Sequence, residues 1–183
     1  MRTLTAAMAF LSFISRVFGA ESAEAPYKVA DIYTEMREMV LKLKPADFKN
    51  SDNIKVLAVV MDTGYPEAAC TLVSTADGSA SLYFSNGGGI IGAGEHPDGG
   101  KASKGLIEAS AGFLKMMKKT KDTPIVVPGM AAFYLVTTDG IFTVSAKEED
   151  FGEDRHPVSS LFHKAHELIT AIRVIDERCS KSK

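Results

Sequence analysis

Two Asp-Gly pairs constrain the fold of this chain more than any other feature of its sequence. Asp77-Gly78 and Asp139-Gly140 each lie between two short runs that are rich in β-branched and aromatic residues. Because glycine reaches the positive φ angles that a tight hairpin turn requires, each pair predicts a β-hairpin. The predicted strands are residues 70–74 and 79–84 in the first hairpin and residues 132–137 and 141–145 in the second.

Three helices and one further strand complete the predicted arrangement. Apolar residues recur at three- and four-residue steps over residues 27–43, 101–118 and 158–176, which is the period of an amphipathic helix. Residues 54–61 (IKVLAVVM) have the β-branched composition of a buried strand. The order lacks the strand–helix–strand alternation of a parallel sheet. The sequence therefore predicts an α+β fold, in which three helices pack against a mainly antiparallel, five-stranded sheet.

The first twenty residues have the pattern of an export signal. Arg2 precedes an apolar stretch at residues 4–14, and Arg16 ends that stretch before it reaches the length of a membrane span. We expect the signal to occupy residues 1–20 and to leave one domain, residues 21–183, in the periplasm or outside the cell. The alternative is an uncleaved leader, which would then be the chain's attachment to a membrane.

The charge balance bears on the class of partner, and the number of cysteines bears on a possible disulfide. The 183 residues carry 21 basic and 23 acidic side chains, a balance that argues against nucleic acid as a partner. Cys70 and Cys179 are the two cysteines, and an even number permits one disulfide in an oxidising compartment. The alternative is a buried Cys70 and an exposed, unpaired Cys179.

A glycine-rich segment stands out between a predicted strand and a predicted helix, because seven of the 15 glycines lie within residues 85–100. Such a cluster indicates backbone conformations or close approaches that side chains would block. The P-loop motif does not fit, since it would need glycine in place of Glu95 and a hydroxyl residue in place of Ala102. The segment is either a crossover loop or a recognition loop for a small molecule or a peptide. The candidate binding residues are Asn86, Gly87, Gly88, Gly89, Ile90, Ile91, Gly92, Gly94, Glu95 and His96.

Histidine and acidic residues offer few candidates for chemistry. His96 lies beside Glu95 and Asp98 and could take part in acid–base or metal chemistry, although no nucleophile motif accompanies it. His163 and His166 are three residues apart on a predicted helix and could share a metal ion, but the helical wheel favours two solvent-facing side chains. The acidic run at residues 148–154 does not match the spacing of an EF-hand. We therefore name no catalytic residue, no metal site and no cofactor.

Two segments resemble a known family at the level of topology. FYLVTTDGIFTVSA (residues 133–146) and LFHKAHELITAIR (residues 161–173) are similar to the last hairpin and closing helix of roadblock/LC7 modules, which have a profilin-like fold. The resemblance extends over residues 54–174, with three predicted strands before the central helix where the family has two. It implies a non-enzymatic, self-associating module and hence a homodimer.

These observations predict an exported, non-enzymatic binding or scaffold module that uses the segment at residues 87–100 for recognition. Its partner would be a protein or a small molecule. Two alternatives stay open: a small ligand-sensing domain, and a small enzyme or metal protein centred on His96.

Overall fold

A single seven-stranded sheet forms the middle of the protein. The structure is a computed structural model that describes residues 27–49 and 54–181, and the predicted export signal at residues 1–20 lies outside them. The strand order is β4-β3-β2-β1-β6-β7-β5, and every neighbouring pair is antiparallel. The strands are β1 Val56–Gly64, β2 Ala69–Thr75, β3 Ala80–Phe84, β4 Gly89–Ile90, β5 Lys118–Thr120, β6 Met130–Thr137 and β7 Gly140–Lys147.

Helices cover both faces of this sheet. They are α1 Asp31–Leu41, α2 Pro97–Ser110, α3 Glu148–Gly152 and α4 Ser159–Lys181. The central strand β1 is buried along its whole length, and its side chains alternate between two cores. Val59 and Met61 join the core beneath α2 and α4, whereas Val60 joins the core beneath α1. The result is a three-layer α+β fold.

Both predicted hairpins are confirmed. Gly78 and Gly140 turn the chain with φ angles of +96° and +117°. In the first turn, the Asp77 carboxylate accepts hydrogen bonds from Thr75 Oγ1 at 2.6 Å and from the Ser79 backbone N–H at 3.0 Å. The α+β class and the antiparallel sheet are confirmed with them.

The predicted numbers of strands and helices, five and three, are wrong. The sheet has seven strands and four α-helices pack around it in the described part of the chain. The additional elements are β4 with two residues, β5 with three and α3 with five. Elements this short do not complete enough periods for an alternating or helical pattern to show in the sequence. The sequence therefore predicts loops at β4 and α3, and it predicts the end of a helix at the first residue of β5.

The second helix also differs from its predicted range of residues 101–118. It begins earlier, with Pro97 in its first turn, and ends at Ser110, where a 3₁₀ segment follows. Lys118, predicted as the last residue of the helix, lies instead in β5, which pairs with β7. No helix among residues 27–49 and 54–181 is long and apolar enough to cross a membrane.

Candidate functional site

A cavity of about 450 Å³ lies between one half of the sheet and α4. Its floor consists of two rows of side chains that run across the strands. Cross-strand pairing aligns Met61 with Leu72, Leu72 with Leu82, and Leu82 with Ile90. Since these residues are register partners, their side chains lie on the same face of the sheet. The first row is therefore apolar over four strands.

The second row lies two residues away from the first on β1, β2 and β3, so it faces the same side of the sheet. It pairs Thr63 with Cys70, and Cys70 with Phe84. The row thus adds a hydroxyl and a thiol beside an aromatic ring. The cavity is apolar at one row and partly polar at the next.

Helix α4 forms the opposite wall with His166, Ile169 and Arg173. Their spacing of three and four residues places these side chains on one face of the helix. Tyr65, which begins the turn between β1 and β2, also lines the cavity, and its side chain is 44% exposed. Arg173 is exposed as well. Tyr65 and Arg173 therefore mark the solvent-facing rim.

His166 is the most unusual polar group in the wall. Its Nε2 atom is buried and has no hydrogen-bond partner among the residues that the structure describes. Its ring lies against Phe162, with 4.3 Å between the ring centroids. Burial lowers the pKa of His166, and the nearby His163 lowers it further. The imidazole is therefore neutral near pH 7, and a buried polar atom without a partner calls for an explanation.

The Cys70 thiol is protonated at neutral pH. Burial, and secondarily the negative charge of Asp62, raises the pKa of Cys70 to about 11. Because the thiolate and not the thiol is the nucleophile, this cysteine is poorly suited to attack a substrate. Burial also raises the pKa of Tyr65, with the charge of Glu148 as the next cause. The cavity therefore offers neutral hydrogen-bonding groups rather than an activated nucleophile.

The predicted glycine-rich segment divides between different surroundings. Ile90 is one of the cavity residues, whereas the Ile91 side chain is 66% exposed. Gly94, Glu95 and His96 line a separate, more open groove of about 630 Å³. Asn86, Gly87 and Gly88 form the exposed turn between β3 and β4. The predicted residues are not brought together at one site.

Close backbone approaches account for several of these glycines. A Cβ atom on Gly94 would lie 2.3 Å from the Gly78 carbonyl oxygen, and one on Gly89 would lie 2.7 Å from the Leu82 carbonyl oxygen. Gly92 adopts a left-handed conformation with φ at +81°. At Gly89 and Gly94 the segment thus approaches the first hairpin too closely for a side chain to fit. Recognition by the segment stays a prediction.

The other predicted candidates are dispersed. His96 is exposed, and its Nε2 lies 3.8 Å from the Cys179 sulfur. Both cysteines are free thiols in the structure, so the disulfide between Cys70 and Cys179 is not formed there. His163 Nε2 lies 2.9 Å from an Asp154 carboxylate oxygen. Within the described ranges, no group of three or more histidine, cysteine or acidic side chains could hold a metal ion.

A buried ion pair on the opposite face of the sheet was not predicted from the sequence. Asp62 is fully buried, and the Arg37 guanidinium donates to its Oδ2 from Nε at 3.0 Å and from Nη2 at 2.5 Å. Thr71 Oγ1 donates to the other carboxylate oxygen at 2.6 Å. Burial disfavours the charge on Arg37, but Asp62 outweighs it and raises the pKa of that guanidinium. The fully paired arrangement is structural, because it leaves no free group for a ligand.

His166 was missed as a site residue for a different reason. The prediction of a solvent-facing side chain came from its position at the edge of the apolar stripe of α4. The signal that could have corrected it is the spacing of His166, Ile169 and Arg173, which puts an apolar residue on the same face.

Comparisons with protein-family models, with curated proteins and with solved structures found no significant match to this chain.

Proposed function

We propose that this protein is a binding module for a small, largely apolar molecule, which it holds in the cavity between the sheet and α4. The observation that carries this proposal is the combination of apolar rows on β1 to β4 with a buried, unpartnered nitrogen on His166. Ligand cavities typically measure about 300–1,000 Å³ and combine apolar walls with a few polar groups. The cavity of about 450 Å³ fits the lower part of that range.

The proposal takes up the ligand-sensing alternative from the sequence and moves recognition away from the glycine-rich segment. Ile90 is the link between the two, because it belongs to the predicted segment and also lines the cavity. A bound molecule would contact β4 through this residue. Export and self-association stay predictions; analysis of the mature N-terminus tests the first, and sedimentation velocity tests the second.

Titration calorimetry with two eight-carbon probes, 1-octanol and octanoate, tests the proposal. Ile169→Trp places a larger side chain in the cavity from α4 and is expected to abolish binding of both probes. Ile107→Trp is the matched control, because Ile107 is half-buried on α2 but does not line the cavity. We expect the control variant to bind as the unmodified protein does. The proposal fails if neither probe binds, or if Ile169→Trp binds both with unchanged affinity.

A further inference from the structure

The polar groups of the cavity lie at two separate places along α4. His166 and Arg173 are seven residues apart on the same face, which corresponds to about 10 Å along the helix axis. Ile169 lies between them. An occupant of the cavity therefore meets a neutral hydrogen-bonding group, an apolar contact and a cation in that order.

Arg173 is the one formal charge that the described residues contribute to the cavity wall. No aspartate or glutamate is among the described residues lining the cavity, so an anion in it would meet no like charge in direct contact. By contrast, the open groove near His96 carries Glu95 and Glu108 as well as lysines. The cavity and the groove thus differ in charge.

The pairing of the arginines distinguishes Arg173 further. Among the residues that the structure describes, Arg37, Arg155 and Arg178 each have a carboxylate within 4.0 Å, and Arg173 has none. Arginine presents several donors in a planar arrangement that matches a carboxylate. Arg173 therefore has its full hydrogen-bonding capacity for a ligand at the rim.

At the other end, the buried Nε2 atom of His166 needs one hydrogen-bond partner. A neutral imidazole nitrogen is either a donor or an acceptor, so a hydroxyl or a carbonyl group satisfies it. Thr63 and Cys70 on the second row of the sheet add further neutral polar groups to the cavity. Apart from Arg173 at the rim, the described residues that line the cavity are uncharged.

We propose that the ligand is an amphiphilic carboxylate: its carboxylate binds Arg173 at the rim, its apolar body covers Ile169 and the apolar row of the sheet, and a hydroxyl or carbonyl group at its far end meets His166. This assignment rests on the proposed function, since it names the class of molecule that the same cavity holds. It also gives α4 the role of reading both ends of the ligand.

Three probes of equal chain length separate the contributions: 1,8-octanediol, octanoate and 8-hydroxyoctanoate. The diol and 8-hydroxyoctanoate share the hydroxyl for His166 and differ only at the end that meets Arg173. Because Arg173 is exposed, its ion pair is expected to favour 8-hydroxyoctanoate over 1,8-octanediol by about fivefold in affinity. A hydrogen bond to His166 is expected to favour 8-hydroxyoctanoate over octanoate by about fivefold again. All three affinities are measured by titration calorimetry at one low ionic strength.

Two variants assign each preference to its residue. Arg173→Gln is expected to remove the preference for 8-hydroxyoctanoate over 1,8-octanediol. His166→Phe is expected to remove the preference for 8-hydroxyoctanoate over octanoate. Arg178→Gln is the control for net charge, because Arg178 is on the same helix but does not line the cavity. It is expected to retain both preferences.

The outcomes distinguish the two proposals. If none of the three probes binds, the proposed function fails together with this assignment. If 1,8-octanediol and 8-hydroxyoctanoate bind equally well, or if Arg178→Gln loses this preference as Arg173→Gln does, the cavity binds ligands but the carboxylate assignment is overturned. If 8-hydroxyoctanoate shows no advantage over octanoate, the assignment of His166 is overturned.

Discussion

Replacing Arg37 by methionine is expected to destabilise the protein strongly, because it leaves a buried carboxylate without its counter-ion. Asp62 is fully buried and would keep only its hydrogen bond from Thr71, at 2.6 Å. It would lose both guanidinium donors, which now lie at 3.0 and 2.5 Å from Oδ2. Removing one member of a buried ion pair costs about 3–5 kcal/mol, a large part of the stability of an ordinary domain.

The double variant Arg37→Met, Asp62→Leu sharpens this prediction. It removes both charges, so the remaining cost comes from groups such as the Thr123 carbonyl, which now accepts from Arg37 at 2.8 Å. One such unpaired group costs about 1–3 kcal/mol, so the double variant is expected to be more stable than Arg37→Met alone. Asp62→Leu alone is expected to resemble Arg37→Met, since it leaves a buried cation.

Urea unfolding followed by circular dichroism measures these differences. With a slope of about 2 kcal/mol/M, the midpoint is expected to fall by about 2 M for each single variant and by about 1 M for the double variant. Glu38→Gln is the control, because Glu38 forms an exposed pair with Lys42 on the same helix. Its midpoint is expected to stay within experimental error. The reasoning is refuted if the two single effects add up in the double variant.

Three further predictions concern the cavity and the glycine-rich segment. Burial lowers the pKa of His166, so the unfolded chain binds its proton more readily and stability falls as the pH drops below about 6.5. His166→Phe is therefore expected to reduce the fall in Tm between about pH 7 and pH 5. Identical slopes of Tm against pH in the variant and the unmodified protein would contradict this. Because its pKa is raised to about 11, Cys70 is ionised in about one molecule in a thousand at pH 8. Iodoacetamide is therefore expected to alkylate Cys70 about 200-fold more slowly in the native protein than in urea. Alkylation rates within about tenfold of each other would count against the raised pKa. Gly94→Ala would bring Cβ to 2.3 Å from the Gly78 carbonyl oxygen and is expected to lower the stability by about 1–3 kcal/mol. Gly112→Ala is the control, because no atom lies within 4 Å of its Cβ, and its Tm is expected to stay unchanged or rise. Equal effects of the two variants in thermal melts would disprove the packing explanation.

The parts of the fold that could be predicted are those set by local chemistry. Gly78 and Gly140 adopt the positive φ angles that their Asp-Gly sequences indicate, and both hairpins follow from them. The short strands β4 and β5 could not be predicted, because pairing with β3 and β7 defines them and their own sequences do not. The 3₁₀ segment at Ala111–Met116 could not be predicted either, because its residues continue the helical pattern of α2.

The candidate site was less predictable than the fold, because it depends on residues far apart in the chain. His166 looked solvent-facing on the helical wheel, and only the position of α4 over the sheet buries its Nε2. Asp62 follows directly after the predicted strand at residues 54–61 and gave no sign of its partner Arg37, 25 positions earlier. Such pairs arise from packing between layers and have no periodicity that a single sequence could reveal.

The two edges of the sheet limit how this protein can associate through its backbone. At one edge stands β4 with two residues, and at the other β5 begins with Lys118 and Lys119. Short edge strands and edge lysines disfavour the addition of a strand from another molecule. β5 covers residues 141–143 of β7, and the remaining open stretch of that strand ends at Lys147. As long as β4 and β5 stay docked, the folded protein has little capacity to extend its sheet into a neighbour, so concentrated solutions are expected to resist fibril formation.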